Sequence, residues 1–227
     1  VEFDIKHITN PVLSMQLLHE EFKRDAMKLS MICSSSGFRV RPYKDGLPHF
    51  GKLSADKQVE IIRSIKFYIE LCQEQLSEGS SLRDNLSFTW KALRKLGLTP
   101  KSDLFSLIKD DDIIEIYNGE SRQVYRNLRY YDFCSYSIEE LYSLEWWNLF
   151  SRDDGEITRK LFEESNKLLT GEVEGHIFSE TKEHVVTELA SAELLSNKYR
   201  AKLLSPLTVN KTAQAFMVVI EANPLAN

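Results

Sequence analysis

The sequence predicts an α+β chain: a helical N-terminal unit over 1–100, then over 101–227 an antiparallel sheet with flanking helices. Three observations carry this. Up to Leu96 the apolar residues recur at helical spacing, with capping residues and glycine stops between the runs. From Ile113 onward short β-branched and aromatic runs alternate with turn residues. Between the two, Tyr130, Tyr131, Phe133, Tyr136, Tyr142, Trp146, Trp147 and Phe150 crowd into 25 positions. Each such ring buries on the order of 150–250 Å², so that stretch is the middle of a core or the wall of a pocket.

Taken in order, Asn10 caps and Pro11 opens an amphipathic helix through Leu13, Leu17, Leu18, Phe22, Met27, Leu29 and Ile32. It either lies on the chain's own body or forms half of a dimer seam. Phe38 to Gly51 is irregular, punctuated by Pro42, Asp45-Gly46 and Pro48, and its Arg39, Arg41 and Lys44 read as a solvated basic cluster. Ser54 caps a second helix with a wide apolar face from Val59 to Leu76. Ser81 with Asp84 opens a third through Leu82, Leu86, Trp90, Leu93 and Leu96, and Gly97 stops it. Thr99-Pro100 begins a short helical turn. Ile113–Tyr117 and 123–127 read as strands joined at Asn118-Gly119, a common hairpin turn. Ser137 and Glu140 form a capping box, and a longer helix runs from Asp153 to Leu169. Strands follow near 185–194, 199–205 and 215–221, with Ser196-Asn197-Lys198 as a turn and Pro206 and Asn210-Lys211 in a connector. Five strands are thus expected, and the continuous apolar run Phe216–Ile220 suits a central strand covered on both faces.

Composition bounds the function. With 227 residues, 42% hydrophobic and 28% charged, the chain has the make-up of an ordinary globular protein. A net charge of −5 argues against gripping a nucleic-acid backbone. The third helix presents Asp84 where a recognition helix would meet phosphate, so no direct nucleic-acid contact is expected. No apolar run reaches the ~20 residues of a membrane span. Cys33, Cys72 and Cys134 fit neither a disulfide framework nor a zinc spacing, which suits a reducing cytoplasm. The chain begins at Val1 rather than methionine, as an excised piece of a longer protein would.

The second half resembles a PAS domain. Family members carry a Gly-Tyr-Ser-x-Glu-Glu-Leu segment, a bulky residue with an apolar partner, an acidic turn, and a helix ending in Gly-Glu. The matching residues are Ser135-Tyr136-Ser137-Ile138-Glu139-Glu140-Leu141, Trp147 to Phe150, Arg152-Asp153-Asp154, and Leu161 to Glu172. Ser135 stands where glycine is usual, and no proline precedes the acidic turn. The hairpin just before these helices agrees with the family's order. His7 with Asn10-Pro11 faintly resembles the phosphoacceptor box of histidine kinases, but no kinase ATP-binding boxes follow.

No catalytic constellation emerges: there is no nucleophile elbow, Walker loop, zincin helix or Rossmann glycine pattern. Asp110 to Asp112 read as a solvated acidic turn and Asp153-Asp154 as helix-start acids suited to the dipole. No cysteine stands where photosensing PAS relatives bond flavin, and Cys134 reads as a small core residue. His176 and His184, nearest to where haem-binding relatives ligate, read as surface residues, and no cofactor is named. The resemblance implies a pocket between sheet and helices, lined by Phe133, Tyr136, Trp147, Phe150 and Phe162 from the helical side. Tyr125, Tyr199 and Phe216 would line it from the sheet. Alternatively these rings simply fill the core. Trp147 is expected to be mostly buried and to fasten the helical middle to the sheet. The implied function is a non-catalytic sensory or regulatory module of a signal-transduction protein, such as a transcription regulator, that senses a small molecule or dimerises. The alternatives are a ligand-free interaction platform, or the sensor part of a histidine kinase or other signalling enzyme. A homodimer is expected, because the helices' apolar faces exceed what one small sheet can cover; Leu18→Glu would split it if the first helix forms the seam.

Overall fold

The structure, a computed structural model, describes residues 11–153, 155–191 and 193–225. His7 and the Asn10 cap lie outside the described residues, as does Asp154. Three helices come first: α1 (Pro11–Ser35), α2 (Ala55–Ser77) and α3 (Asn85–Leu96). Ser54 caps α2 by accepting from Lys57 N, and Gly97 ends α3 in the left-handed conformation at φ 67°. Helix α3 starts later than the sequence predicts. Asp84 itself is the cap, accepting from Ser87 N at 3.0 Å, while Ser81 Oγ is occupied by Arg83 N. Trp90, expected on the apolar side, is exposed and meets Phe105 edge-on.

Next come β1 (Thr99–Pro100), β2 (Ile113–Asn118) and β3 (Gln123–Arg126), then α4 (Ile138–Ser143), α5 (Trp146–Leu149), β4 (Phe150–Arg152) and α6 (Gly155–Leu169). The chain closes with β5 (Ile177–Phe178), β6 (His184–Glu188), β7 (Ser196–Val209) and β8 (Thr212–Pro224). The α+β expectation holds, but the antiparallel sheet has eight strands rather than five, in the order β3-β2-β8-β7-β6-β4, with β1 and β5 added on β7. The three extra strands are two or three residues long. Such short bridges carry no period in the sequence.

Strands β7 and β8 are longer than their apolar runs. The expected turn at 196–198 is paired strand, facing both β6 and β8. Pro206 also lies within β7: β8 covers one edge, and the partners on the other edge reach 203–204 and 207–208 but not 206. A proline is tolerated where no ladder donor is required. The reversal comes at Asn210 and Lys211, both at positive φ (49° and 68°), as a tight two-residue hairpin requires. The 118–123 hairpin turns differently. Asn118 Oδ1 accepts from Glu120 N and Arg122 N, and Ser121 takes the left-handed conformation. Gly119 lies close to β8, where a Cβ would stand 3.4 Å from Gln214 O, about an ordinary contact.

The sheet is covered on both faces, and strand alternation sorts its residues. Ile114, Ile116, Met217 and Val219 join one apolar cluster with Leu18, Phe22, Ile65 and Leu93 of the helices. Ile113, Phe216, Val218, Ala201 and Leu204 point the other way, toward α6 and the 130–150 stretch. Leu18, Phe22, Ala26, Leu29 and Cys33 of α1 are thus buried within the chain itself. The faces that suggested a dimer seam are largely covered by α2, α3 and the sheet.

Polar joints lock the halves together. Asp112, read as part of a solvated turn, is buried and paired with Lys202 at 2.7 Å. Its carbonyl accepts from both Asn85 and Asn127, each at 2.9 Å. In the 38–51 loop Arg39 and Arg41 are exposed, as a solvated basic cluster should be, yet the loop is also tied to α4. Arg41 O and Pro42 O accept from Ile138 N and Glu139 N, Arg41 donates to Ser135 O, and Lys44 pairs with Glu140 at 2.7 Å. Glu139 Oε1 in return accepts from His49 N and Phe50 N. The loop therefore straps the start of α4, where the predicted capping box is present.

Candidate functional site: an aromatic cavity on the sheet

Against the outward face of the sheet lies a cavity of about 690 Å³, within the range of small-molecule sites. Its floor is built by alternation: Ile113, Glu115 and Tyr117 from β2, Phe216, Val218 and Ile220 from β8, Tyr199 and Ala201 from β7. Helices α4, α5 and α6 with β4 form the opposite wall, and the start of α2 closes one side.

Six of the eight residues expected to line a pocket border this cavity: Tyr125, Trp147, Phe150, Phe162, Tyr199 and Phe216. Phe133 and Tyr136 do not. They are buried behind the wall in a cluster with Cys134 and Leu149, where Tyr136 OH donates to Leu149 O at 2.5 Å and accepts from Leu189 N and Ala190 N. Tyr125 borders the cavity, but its ring faces the helices: it stacks on Tyr68 at 6.0 Å, and its hydroxyl sits 3.2 Å from Thr89 Oγ1. Its strand partner is Ile116, on the inward face. Trp147 overturns the expectation of a buried anchor, being 59% exposed. With Trp146 and Phe162, also exposed, it belongs to the rim. Helix α5 is one turn long and turns its Leu149 inward, which leaves the two tryptophans outward. The fastening is done by Tyr136, Leu149 and Phe150 instead, with Phe150 edge-on to Tyr136 at 5.4 Å.

The cavity's polar groups were not expected. Arg126 and Glu115 are cross-strand partners, with Arg126 Nε 2.8 Å from Glu115 Oε1. The other carboxylate oxygen accepts from Tyr117 OH at 2.6 Å. The Arg126 guanidinium lies 3.8 Å above the Tyr130 ring, a cation–π geometry. Tyr68 of α2 clamps the same residue's backbone, donating to Arg126 O at 2.8 Å and accepting from Arg126 N at 2.6 Å. Arg152 of β4, also on the cavity lining, stands over Trp146 and reaches Thr158 Oγ1 at 3.3 Å. Among the described residues it has no carboxylate partner, and its buried Nε makes no hydrogen bond. Burial pushes the phenols of Tyr117, Tyr130 and Tyr199 well above the ordinary tyrosine value, so all three are neutral hydroxyls. The signal for Glu115 was present: in Ile113-Ile114-Glu115-Ile116-Tyr117 a carboxylate interrupts an otherwise apolar strand on the face shared with Tyr117.

The remaining candidates fall elsewhere. His184 is buried on the cavity wall rather than at the surface, because pairing with Tyr199 places it on the covered face. His176 is also largely enclosed, its Nε2 3.0 Å from Asp103 Oδ1. Cys134 is a core residue whose thiol is pushed up to about 12 by burial. Asp153 is not a helix-start acid; its carboxylate accepts from Val185 N and ties β4 to β6. Ser135 donates through N and Oγ to the buried Glu188 carboxylate. Among the described residues no group of three or more His, Cys, Asp or Glu could hold a metal, and no helix is long and apolar enough to cross a membrane. Compared with protein-family models, curated proteins and solved structures, the chain matches none.

Proposed function

We propose that the chain is a non-catalytic sensory or regulatory module whose second half is PAS-like and holds a small molecule between its sheet and central helices. The observation that carries this reading is the 690 Å³ cavity, walled by rings and holding polar groups of both signs. Support comes also from element order: a hairpin, a helical middle opened by the Ser137–Glu140 capping box, then the antiparallel strands β6, β7 and β8. A ligand shifts a conformational equilibrium only through contacts that differ between states. Here Lys57, Glu60, Ile61, Ser64 and Tyr68 of α2 line the cavity and Tyr68 grips Arg126 of β3, which would couple an occupant to the helical unit. The output then lies in a transcription regulator or signalling enzyme outside this chain.

The test is chemical. Gently purified protein is denatured and the supernatant is examined by mass spectrometry beside the variant Ala201→Phe, which fills the cavity floor. A small molecule released by the parent and missing from the folded variant supports the reading. Release of nothing by the parent, with no compound of a metabolite library shifting its melting, refutes it. A second reading, a ligand-free interaction platform, is favoured by the exposed Trp146, Trp147 and Phe162 at the cavity rim. It would show as partner binding that survives Ala201→Phe and is lost on Trp147→Ala.

A further inference from the structure

We propose that the cavity is built for a small aromatic carboxylate, its acid group held by Arg126 and Arg152 and its ring laid among the cavity's aromatic side chains. This rests on the ligand-cavity reading and names the ligand class. The argument starts from charge. Arg126 uses Nε on Glu115 and its face on Tyr130, and its terminal nitrogens have no partner among the described residues. Arg152 has no carboxylate partner there at all, and its Nε is buried and unbonded. Buried or half-buried cations are normally paired; among the described residues Glu115 pairs with Arg126, and no carboxylate pairs with Arg152. Arg152 is therefore the cavity-lining cation that an anionic ligand would pair. Guanidinium recognises planar, two-oxygen anions by paired hydrogen bonds, which favours a carboxylate.

The rest of the cavity selects the body of the ligand. Tyr117 and Phe216 stack at 5.3 Å on the sheet side, and Phe150 of β4 also lines the cavity. A lining so rich in rings suits a flat aromatic ring better than a branched chain. The Tyr199 hydroxyl is buried in this wall without a hydrogen-bond partner among the described residues. It can bond a polar substituent on the far side of the ring.

The probes are 4-hydroxybenzoate, its uncharged analogue 4-hydroxybenzamide, and inorganic phosphate, each titrated calorimetrically and by melting shift into the whole chain stripped of any co-purified compound. The expected result is saturable binding of the carboxylate, at least about tenfold weaker binding of the amide, and no competition by phosphate. Arg152→Gln, which breaks no ion pair among the described residues, should keep the parent's melting temperature and weaken the carboxylate by about tenfold or more while leaving the amide unchanged. Equal binding of acid and amide, full affinity in Arg152→Gln, or displacement by phosphate alone overturns the proposal. So does the absence of binding by any probe at millimolar concentration. In each of those cases a molecule still released on denaturation by the parent but not by Ala201→Phe leaves the cavity reading standing, so the two failures are distinguishable.

Discussion

The Glu115–Arg126 pair gives the sharpest test of how the cavity is held. Glu115 keeps 10% of its side chain exposed and Arg126 21%, so the pair is desolvated without being sealed. Removing one partner of a buried pair costs about 3–5 kcal/mol. Arg126→Met leaves the carboxylate with Tyr117 OH still donating at 2.6 Å, which lowers the expected loss to about 2–3 kcal/mol. Glu115→Gln leaves the guanidinium over Tyr130, and a loss of about 2 kcal/mol is expected. The double variant removes both charges, so it should lose no more than the worse single, giving a coupling of about 2 kcal/mol. For a chain of this size that coupling corresponds to roughly 4–8 °C in melting temperature. Urea unfolding of the four proteins, with slopes compared to exclude changes in the unfolded state, measures it directly. Additivity to within about 0.5 kcal/mol would refute the argument, because it would mean that the two charges do not depend on each other.

Three further outcomes follow from the same geometry. Trp147→Ala should cost under about 1 kcal/mol, since a 59% exposed ring loses little on truncation; a loss of 3 kcal/mol would restore it as an anchor. Leu18→Glu should unfold the chain rather than split a dimer, because Leu18 is 1% exposed inside the main cluster. Sedimentation of the parent against its 26.3 kDa mass decides the oligomeric state separately. Acid sensitivity should be reduced by Glu140→Gln. Burial by itself raises the Glu140 carboxyl, but the Lys44 ammonium and the Ser137 donors outweigh it and hold the group below the usual carboxylate value. A depressed carboxyl contributes stability that is present above its unfolded value of about 4.3 and is lost as pH falls through the folded one. Denaturant midpoints between neutral pH and pH 3 should therefore converge for parent and variant as the pH falls, and parallel curves would count against the pairing with Lys44.

Local signals in the chain by itself determined a good deal. Ser54 as a cap, Gly97 as a helix stop, the Ser137–Glu140 box, the strands at 113 and 123 and the alternation of helices and strands are all contained within a few adjacent residues. Each is decided by backbone hydrogen bonds that close within one turn or one hairpin. Even the double covering of β8 was visible, because Phe216 to Ile220 offers no polar face. Only the tertiary structure decided which rings became wall, core or rim. Tyr125 turns inward because it pairs with Ile116, and Trp147 turns outward because Leu149 takes the inward position of a one-turn helix. Pairing decided the charges too: Asp112 finds Lys202 across 90 residues, and Arg126 finds Glu115 through a hairpin whose register depends on how Asn118 and Ser121 make the turn. Aromatic composition shows that something large is buried. The side each ring faces depends on strand register and on partners distant in the chain, and no local pattern contains either.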